Sequence, residues 1–375
     1  MTNIGSLFSN IFKKAPESVL GVDIGSSAIK VVQLRKKNGK AILETYGELS
    51  LGPYAGIEIG RATNLPQEKI VEALKDLIKE ANVSTAICGM SIPASSSFLS
   101  FIRIPTTDPR QLETAVPLEA RKYIPVPITE VSLNWSVIPQ ETREFANEFE
   151  AHEADANKNQ VQQSSEVLLA VIHNDVLNKY NQILQAANLQ ASALEIEIFS
   201  SMRAIIEQSL DAELVFDMGA GSTKLYIIDR NVLRAAHTVN RGSQEITLAL
   251  SRSLSMSVGD AEHIKRTVGL SNEPEKHQVK EVISLNLDYV FTETNRVILN
   301  YQKKTGKNVS RIILTGGGCL LKGFLELARA RFQTEVVLGD PFSKTETPAF
   351  LEPVLKAAGP GFAVAIGLAL KQLQE

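Results

Sequence analysis

Two stretches of the sequence carry the same three chemically distinctive residues at the same spacing. In residues 19–34 an apolar run ends at Asp23, with Gly25 two positions later and Lys30 seven positions later. In residues 214–228 the same offsets place Asp217, Gly219 and Lys224. Each stretch reads as two apolar strands joined by a short turn of small and hydroxyl residues. The turns carry Ser26 and Ser27 in the first copy, and Ala220, Gly221, Ser222 and Thr223 in the second. Glycine lets successive backbone N–H groups point into one concavity, and hydroxyls add donors, so such a turn cradles phosphate oxygens. An aspartate at the strand end cannot hold phosphate itself, but it can hold a hydrated Mg2+ that bridges phosphates. Two facing copies would grip a triphosphate from both sides. A third element supports this chemistry: the apolar run 309–314, Thr315, the triple glycine Gly316, Gly317 and Gly318, then a helical pattern over 324–332. Three glycines let the backbone lie flat against a ligand ring, and a helix N-terminus behind them favours anionic groups.

These motifs need a scaffold that presents two similar hairpins. Each copy is followed by a further strand-like stretch, residues 41–49 and 232–239. Matching aspartate, glycine and lysine in both halves implies one ancestral lobe used twice. A length of 375 residues fits two domains. With 44% hydrophobic and 22% charged residues, the composition is that of a soluble globular chain. A net charge of −3 supplies no overall basic field, which excludes generic nucleic-acid binding. Cys88 and Cys319 stand far apart with no Cys/His cluster. That excludes a zinc knuckle or disulfide scaffold and fits a reducing cytoplasm. No apolar run reaches the roughly 20 residues of a membrane span, and the N-terminus does not read as a secretory signal.

Taken in order, the motifs make nearly the whole chain similar to the actin, sugar-kinase and heat-shock-chaperone superfamily. That resemblance implies an α/β, actin-like ATPase fold: two duplicated ribonuclease-H-like lobes around a nucleotide cleft, with a small inserted subdomain. It implies ATP and Mg2+ as ligands. Asp23, Gly25, Ser26 and Ser27 then form the first phosphate turn, and Lys30 matches a phosphate-contacting lysine. Asp217, Gly219, Ala220, Gly221, Ser222 and Thr223 form the second, and Gly316, Gly317 and Gly318 the adenosine motif. Asp23 and Asp217 would hold the metal through water. Gly242 lies in the glycine turn 240–247 before the nucleotide-side helix, and Glu262 and Lys265 flank ribose and adenine. Connecting helices are expected at 195–206 and 362–373. Glu197, then Glu195, is the candidate for positioning a hydrolytic water. Lys224 stands where actins carry a histidine involved in hydrolysis, so at most slow ATP turnover is expected.

Within the superfamily, residues 20–34, 89–93, 101–105, 113–125, the strand around Trp135 and residues 170–172 resemble the PilM family of type IV pilus assembly proteins. These are relatives of the division protein FtsA. The resemblance implies a cytoplasmic protein, peripheral at the inner face of the cytoplasmic membrane. Its small subdomain would hold the N-terminal peptide of a PilN-like membrane protein in a groove around 98–128, and self-association is a further expectation. Arg103, Arg110 and Arg121 could pair with polar groups of that partner. The expected organisation is an N-terminal segment 1–17; lobe 1 at 18–82 and 167–206; the small subdomain at 83–166; lobe 2 at 207–360; and a connecting helix at 361–375. Ile4, Leu7, Phe8, Ile11 and Phe12 form one apolar helical face before Lys13 and Lys14, suited to lipid or a partner. An acidic, Asn/Gln-rich stretch at 140–165 reads as a loop within the small subdomain. The alternatives are an FtsA-like division protein and a small-metabolite kinase of the same superfamily. FtsA-like proteins usually carry a C-terminal membrane helix, whereas this end reads as a connecting helix. A kinase needs an aspartate base, for which the first lobe offers no convincing candidate.

Overall fold

The computed structural model describes residues 17–139, 164–271, 273 and 276–374. The N-terminal apolar face and nearly all of the acidic stretch 140–165 lie outside these residues.

Two five-stranded sheets share one plan. The first has the order β3-β2-β1-β4-β8, formed by β1 (Ser18–Ile24), β2 (Ala28–Lys37), β3 (Lys40–Ser50), β4 (Ile87–Ile92) and β8 (Gln190–Ile196). The second repeats it as β11-β10-β9-β12-β13, with β9 (Ala212–Met218), β10 (Thr223–Asp229), β11 (Val232–Val239), β12 (Val309–Thr315) and β13 (Glu335–Leu338). In each, an antiparallel three-stranded meander continues into two parallel strands. The duplication read from the hairpins therefore extends to whole sheets. The spacing of seven has a simple origin: Asp23 pairs across its hairpin with Lys30, and Asp217 with Lys224.

The central strands are near-continuous apolar runs because both sheet faces are covered. Every residue of β9 is buried. On lobe 2, α5 (Ser243–Leu254), α6 (Val258–Thr267), α7 (His277–Thr305) and α8 (Phe324–Arg331) supply the cover. Phe216 of β9 packs against Phe291 of α7 and Phe324 of α8 with ring centroids 6.2 and 5.8 Å away. On lobe 1, α1 (Gln67–Glu80) buries Ile70, Ala73, Leu74 and Leu77. Cys88 and Cys319 are free and buried.

Two helices lead out of the sheets at the expected places: α4 (Glu197–Ile205) after β8, and α10 (Ala363–Gln374) after the short α9 (Glu352–Ala358). The run Ala349–Gln374 has the length and apolarity of a membrane span, but two thirds of its apolar 18-residue window is buried inside the protein. α10 lies on β1, β2 and β4 and against α4. Glycine makes that approach possible. A Cβ on Gly21 would stand 1.8 Å from the Ala365 carbonyl oxygen, and one on Gly367 would stand 1.8 Å from that of Ser200.

Residues 94–179 form a separate compact unit. Its three-stranded antiparallel sheet runs β5-β7-β6: β5 (Ser97–Ile104), β7 (Ser165–His173) and β6 (Val131–Ile138). α2 (Pro109–Ala120) closes one face through Leu112, Val116 and Ala120, against Ile102, Ile104, Val167 and Leu169. Asp108 caps α2 by accepting from the Arg110 N–H. The compact units divide at 93/94 and at 179/180, within α3 (Asn174–Ala186), not at 83 and 166 as the sequence suggested. The reasons are register and pairing. β4 is the parallel neighbour of β1 in the lobe 1 sheet, and β7 is the central strand of the small sheet.

Candidate functional site

The two aspartate hairpins belong to one compact unit, and their turns come together. Gly25 and Gly219 close equivalent turns, donating to the Ala28 and Ser222 carbonyls at 3.0 and 2.9 Å. Ser26 Oγ of the first turn lies 3.4 Å from where a Gly221 Cβ of the second would stand. The two glycine- and hydroxyl-rich turns thus stand side by side.

Asp23 sits where β1 ends and accepts a hydrogen bond from Ser91 Oγ at 2.8 Å. Burial pushes its carboxyl above the ordinary range, and the Asp217 charge adds to that, while Lys30, Ser91 and Lys224 oppose it. Asp217, 5% exposed, faces Lys224 with 3.5 Å between Oδ2 and Nζ. Lys224 reaches on to Glu197, the first residue of α4, donating to Oε2 at 2.8 Å. Burial alone would disfavour the Lys224 charge, but Asp217 and Glu197 outweigh it and hold the ammonium protonated well above the usual lysine range. Lys30 takes a different course. Its Nζ lies 3.8 Å from a Cβ position on Gly317, 3.5 Å from one on Gly361, and 6.0 Å from the Phe362 ring centre. Each hairpin lysine therefore crosses to the other half: Lys30 to the triple-glycine turn and the lead into α10, Lys224 to the start of α4.

Two of the three glycines, Gly316 and Gly318, are demanded by contact. Gly316 has φ +83°, and a Cβ there would meet Asp217 Oδ1 and the Met218 carbonyl at 2.5 Å. Gly318 packs as tightly on Met218. The Gly316 N–H and Thr315 hydroxyl both donate to the Pro360 carbonyl at 2.8 Å, tying this turn to the lead into α10. Gly242 abuts the second turn, where a Cβ would stand 2.3 Å from the Ala220 oxygen. The next two amides, of Ser243 and Gln244, donate to the Gly219 and Ala220 carbonyls.

Three expected roles take a different form in the structure. Glu195, the second candidate for positioning water, is held by Arg203 at 2.8 and 2.9 Å, by Ser200 at 2.6 Å and by Lys371 at 3.2 Å. Burial alone would raise its pKa, but these partners win and lower it, so Glu195 is an anchor of the connecting helices. Glu197 is not free either, since Lys224 occupies Oε2. Glu262 and Lys265 bind each other at 2.6 Å, both buried, with Thr247 bonded to each. A Cβ on Gly60, in the loop after β3, would lie 2.8 Å from Glu262. The same loop is fastened by Ala62 N–H to Gln244 Oε1 at 2.9 Å and by Thr63 N–H to the Ser26 carbonyl at 2.7 Å. Ser91, Thr247, Gln244 and this loop are members of the site that sequence reasoning missed. Ser91, Thr247 and Gln244 lay inside motifs already noted, but only tertiary packing assigns them partners.

Among the described residues no three His, Cys, Asp or Glu side chains converge as a protein-only metal cage. Asp23 and Asp217 stand at equivalent positions of β1 and β9, near enough for the Asp217 charge to raise the Asp23 pKa.

The architecture matches known proteins. A solved structure described as a PilM-PilN type IV pilus biogenesis complex superposes with a TM-score of 0.78 at 23% identity, covering 96% of this chain and all of that one. The ethanolamine utilization protein EutJ from Carboxydothermus hydrogenoformans aligns at TM-score 0.53 and 15% identity over 97% of this chain and 94% of its own. In sequence, the cell division protein FtsA of Rhizobium meliloti (strain 1021) is 27% identical over 193 residues, 45% of this chain but only 42% of the relative. FtsA of Streptococcus pneumoniae serotype 2 is 23% identical over 86% of this chain and 75% of its own. The description "Type IV pilus assembly protein PilM" fits residues 21–373. With that match spanning both lobes and the small unit, and with the shared two-lobe fold, the chain belongs to the PilM family of type IV pilus assembly proteins, within the actin-like ATPase superfamily.

Proposed function

We propose that this chain binds ATP with Mg2+ in the cleft between its duplicated sheets and uses the bound nucleotide to set the relation of the two lobes. The observation that carries the reading is the meeting of the two Asp–Gly–Lys hairpins, with Ser26 and Gly221 in near contact and Asp23 and Asp217 at equivalent positions of their sheets. In this reading the turn amides and hydroxyls hold phosphates, and Gly316, Gly317 and Gly318 lie along the adenosine. Asp23 and Asp217 hold the ion through water, which supplies charge neutralisation between the phosphates. Hydrolysis is slow at best in this reading, because Lys224 stands where the actin resemblance implies a histidine involved in hydrolysis. The direct test is thermal: a ligand that binds the native state must raise its stability. A melting midpoint unmoved by millimolar ATP with Mg2+ would sink the reading.

The family and the PilM-PilN neighbour support a second part. A PilN-like protein of the inner membrane presents a cytoplasmic N-terminal peptide to the small unit, which keeps this chain at the inner face of the membrane. β5 is an edge strand there, and Phe98, Leu118 and Tyr123 are exposed, so an extended peptide could add to the sheet and seat side chains on these residues. Retention of the protein on an immobilised PilN-like N-terminal peptide checks this, with Phe98→Glu expected to weaken it at least tenfold. Equal retention of both proteins would remove the small unit from the interface.

A further inference from the structure

We propose that Lys224 reads the terminal phosphate of the nucleotide, and that a triphosphate, but not a diphosphate, draws it off Glu197 and so opens a charged link between the two lobes. This rests on the nucleotide reading of the cleft. Three observations carry it. The first is position: the Lys224 ammonium lies 3.9 Å from a Cβ position on Gly219, directly at the second phosphate-type turn, with its side chain 13% exposed. The second is the asymmetry between the duplicated lysines. Lys30 reaches the triple-glycine turn at 3.8 Å. Lys224 stays beside its own hydroxyl-rich turn, bonded to Glu197 at 2.8 Å and facing Asp217 at 3.5 Å. In the nucleotide reading that turn takes phosphate, so Lys224 is the lysine a terminal phosphate would meet, and a diphosphate lacks that group.

The third is ownership of the partners. Asp217 belongs to lobe 2, and Glu197 begins the helix that leaves lobe 1. The Lys224–Glu197 pair therefore joins the two lobes, with Glu197 buried and Lys224 mostly covered. Parting a buried pair strands a carboxylate and is costly, so only an acceptor stronger than a carboxylate can draw the ammonium away. A phosphate carries more charge and more acceptor oxygens than a single carboxylate, and charge-assisted bonds to it are strong. Since a ligand shifts a two-state equilibrium only by its differential affinity, a group that distinguishes three phosphates from two is what couples nucleotide identity to lobe position.

The test is the ratio of ATP to ADP affinity, read with fluorescent analogues of both and Mg2+ on the full chain. Wild type should prefer the triphosphate by at least tenfold. Lys224→Met should bring the ratio to within threefold of one, and Lys224→Arg should restore most of the preference. Because Lys224→Met strands two buried carboxylates, Lys224→Met with Glu197→Gln serves as the second variant and should show the same collapsed ratio. Glu197→Gln alone should raise the ratio several-fold by freeing the ammonium. A wild-type ratio near one, or an unchanged ratio in the Met variants, overturns the assignment while leaving the cleft reading intact. Binding of neither nucleotide by wild type overturns both.

Discussion

Asp23–Lys30 and Asp217–Lys224 occupy matching rungs of matching sheets, yet their lysines keep unlike company. Lys30 runs along glycine backbone and the Phe362 ring, and the carboxylate near it, Glu48, is 3.9 Å away and half exposed. Lys224 is locked between Glu197 and Asp217, both buried. Duplication preserved the strand pairing, because register is fixed by the buried faces, but left the tips of long side chains free to diverge. One hairpin offers its cation to whatever enters the cleft. The other spends its cation on the protein until something competes for it.

The sharpest way to break this comparison is to truncate each lysine. Lys224→Ala leaves two buried carboxylates without their counter-charge and should destabilise the fold by about 3–5 kcal/mol in urea unfolding. Equal losses for the Lys224 and Lys30 truncations would show that the asymmetry has no energetic content. Next in size is Asp23→Ala, expected to weaken Mg-ATP at least a hundredfold, about 2.8 kcal/mol. Its melting midpoint should then not respond to the ligand, and a full wild-type response would remove Asp23 from the site.

A smaller effect separates the lobes by pH. Burial tends to raise the Glu262 pKa, but Lys265, Arg266 and Thr247 overcome it and hold it below its ordinary 4.5. A carboxylate depressed in the folded state adds stability above its unfolded value and loses it as pH falls through the folded one. Glu262→Gln should therefore flatten the loss of stability below pH 4.5, and superimposable acid limbs would refute the pairing. The smallest expected change belongs to Lys30→Ala, under about 1 kcal/mol of stability, because its ion-pair partner Glu48 is half exposed and 3.9 Å away. Its effect should appear in nucleotide affinity instead.

Much of this was legible in the sequence because it is local. Strand-turn-strand patterning and the offset of seven gave both hairpins, the triple glycine announced a close backbone approach, and apolar periodicity placed the helix after it. What was not legible is which way a long side chain leans. Nothing in residues 23–30 and 217–224 says that one lysine crosses to Gly317 and the other to Glu197, since that depends on how two sheets face each other. The sequence ranks Glu197 ahead of Glu195, but their partners, Lys224 for the first and Arg203 with Lys371 for the second, depend on that same packing. The small-unit boundary was misjudged because β4 and β7 are both apolar strands, and only their pairing partners assign them to different sheets.

The glycine contact between α10 and α4 has a mechanical consequence. Backbone meets backbone where Gly367 faces Ser200, with no side chains between to slide over one another. Such a contact leaves the two helices little room to slide past one another. Glu197 lies one turn before Ser200 on the same helix. In the proposed reading, drawing Lys224 off Glu197 therefore acts within one turn of the place where α4 and α10 are held most closely.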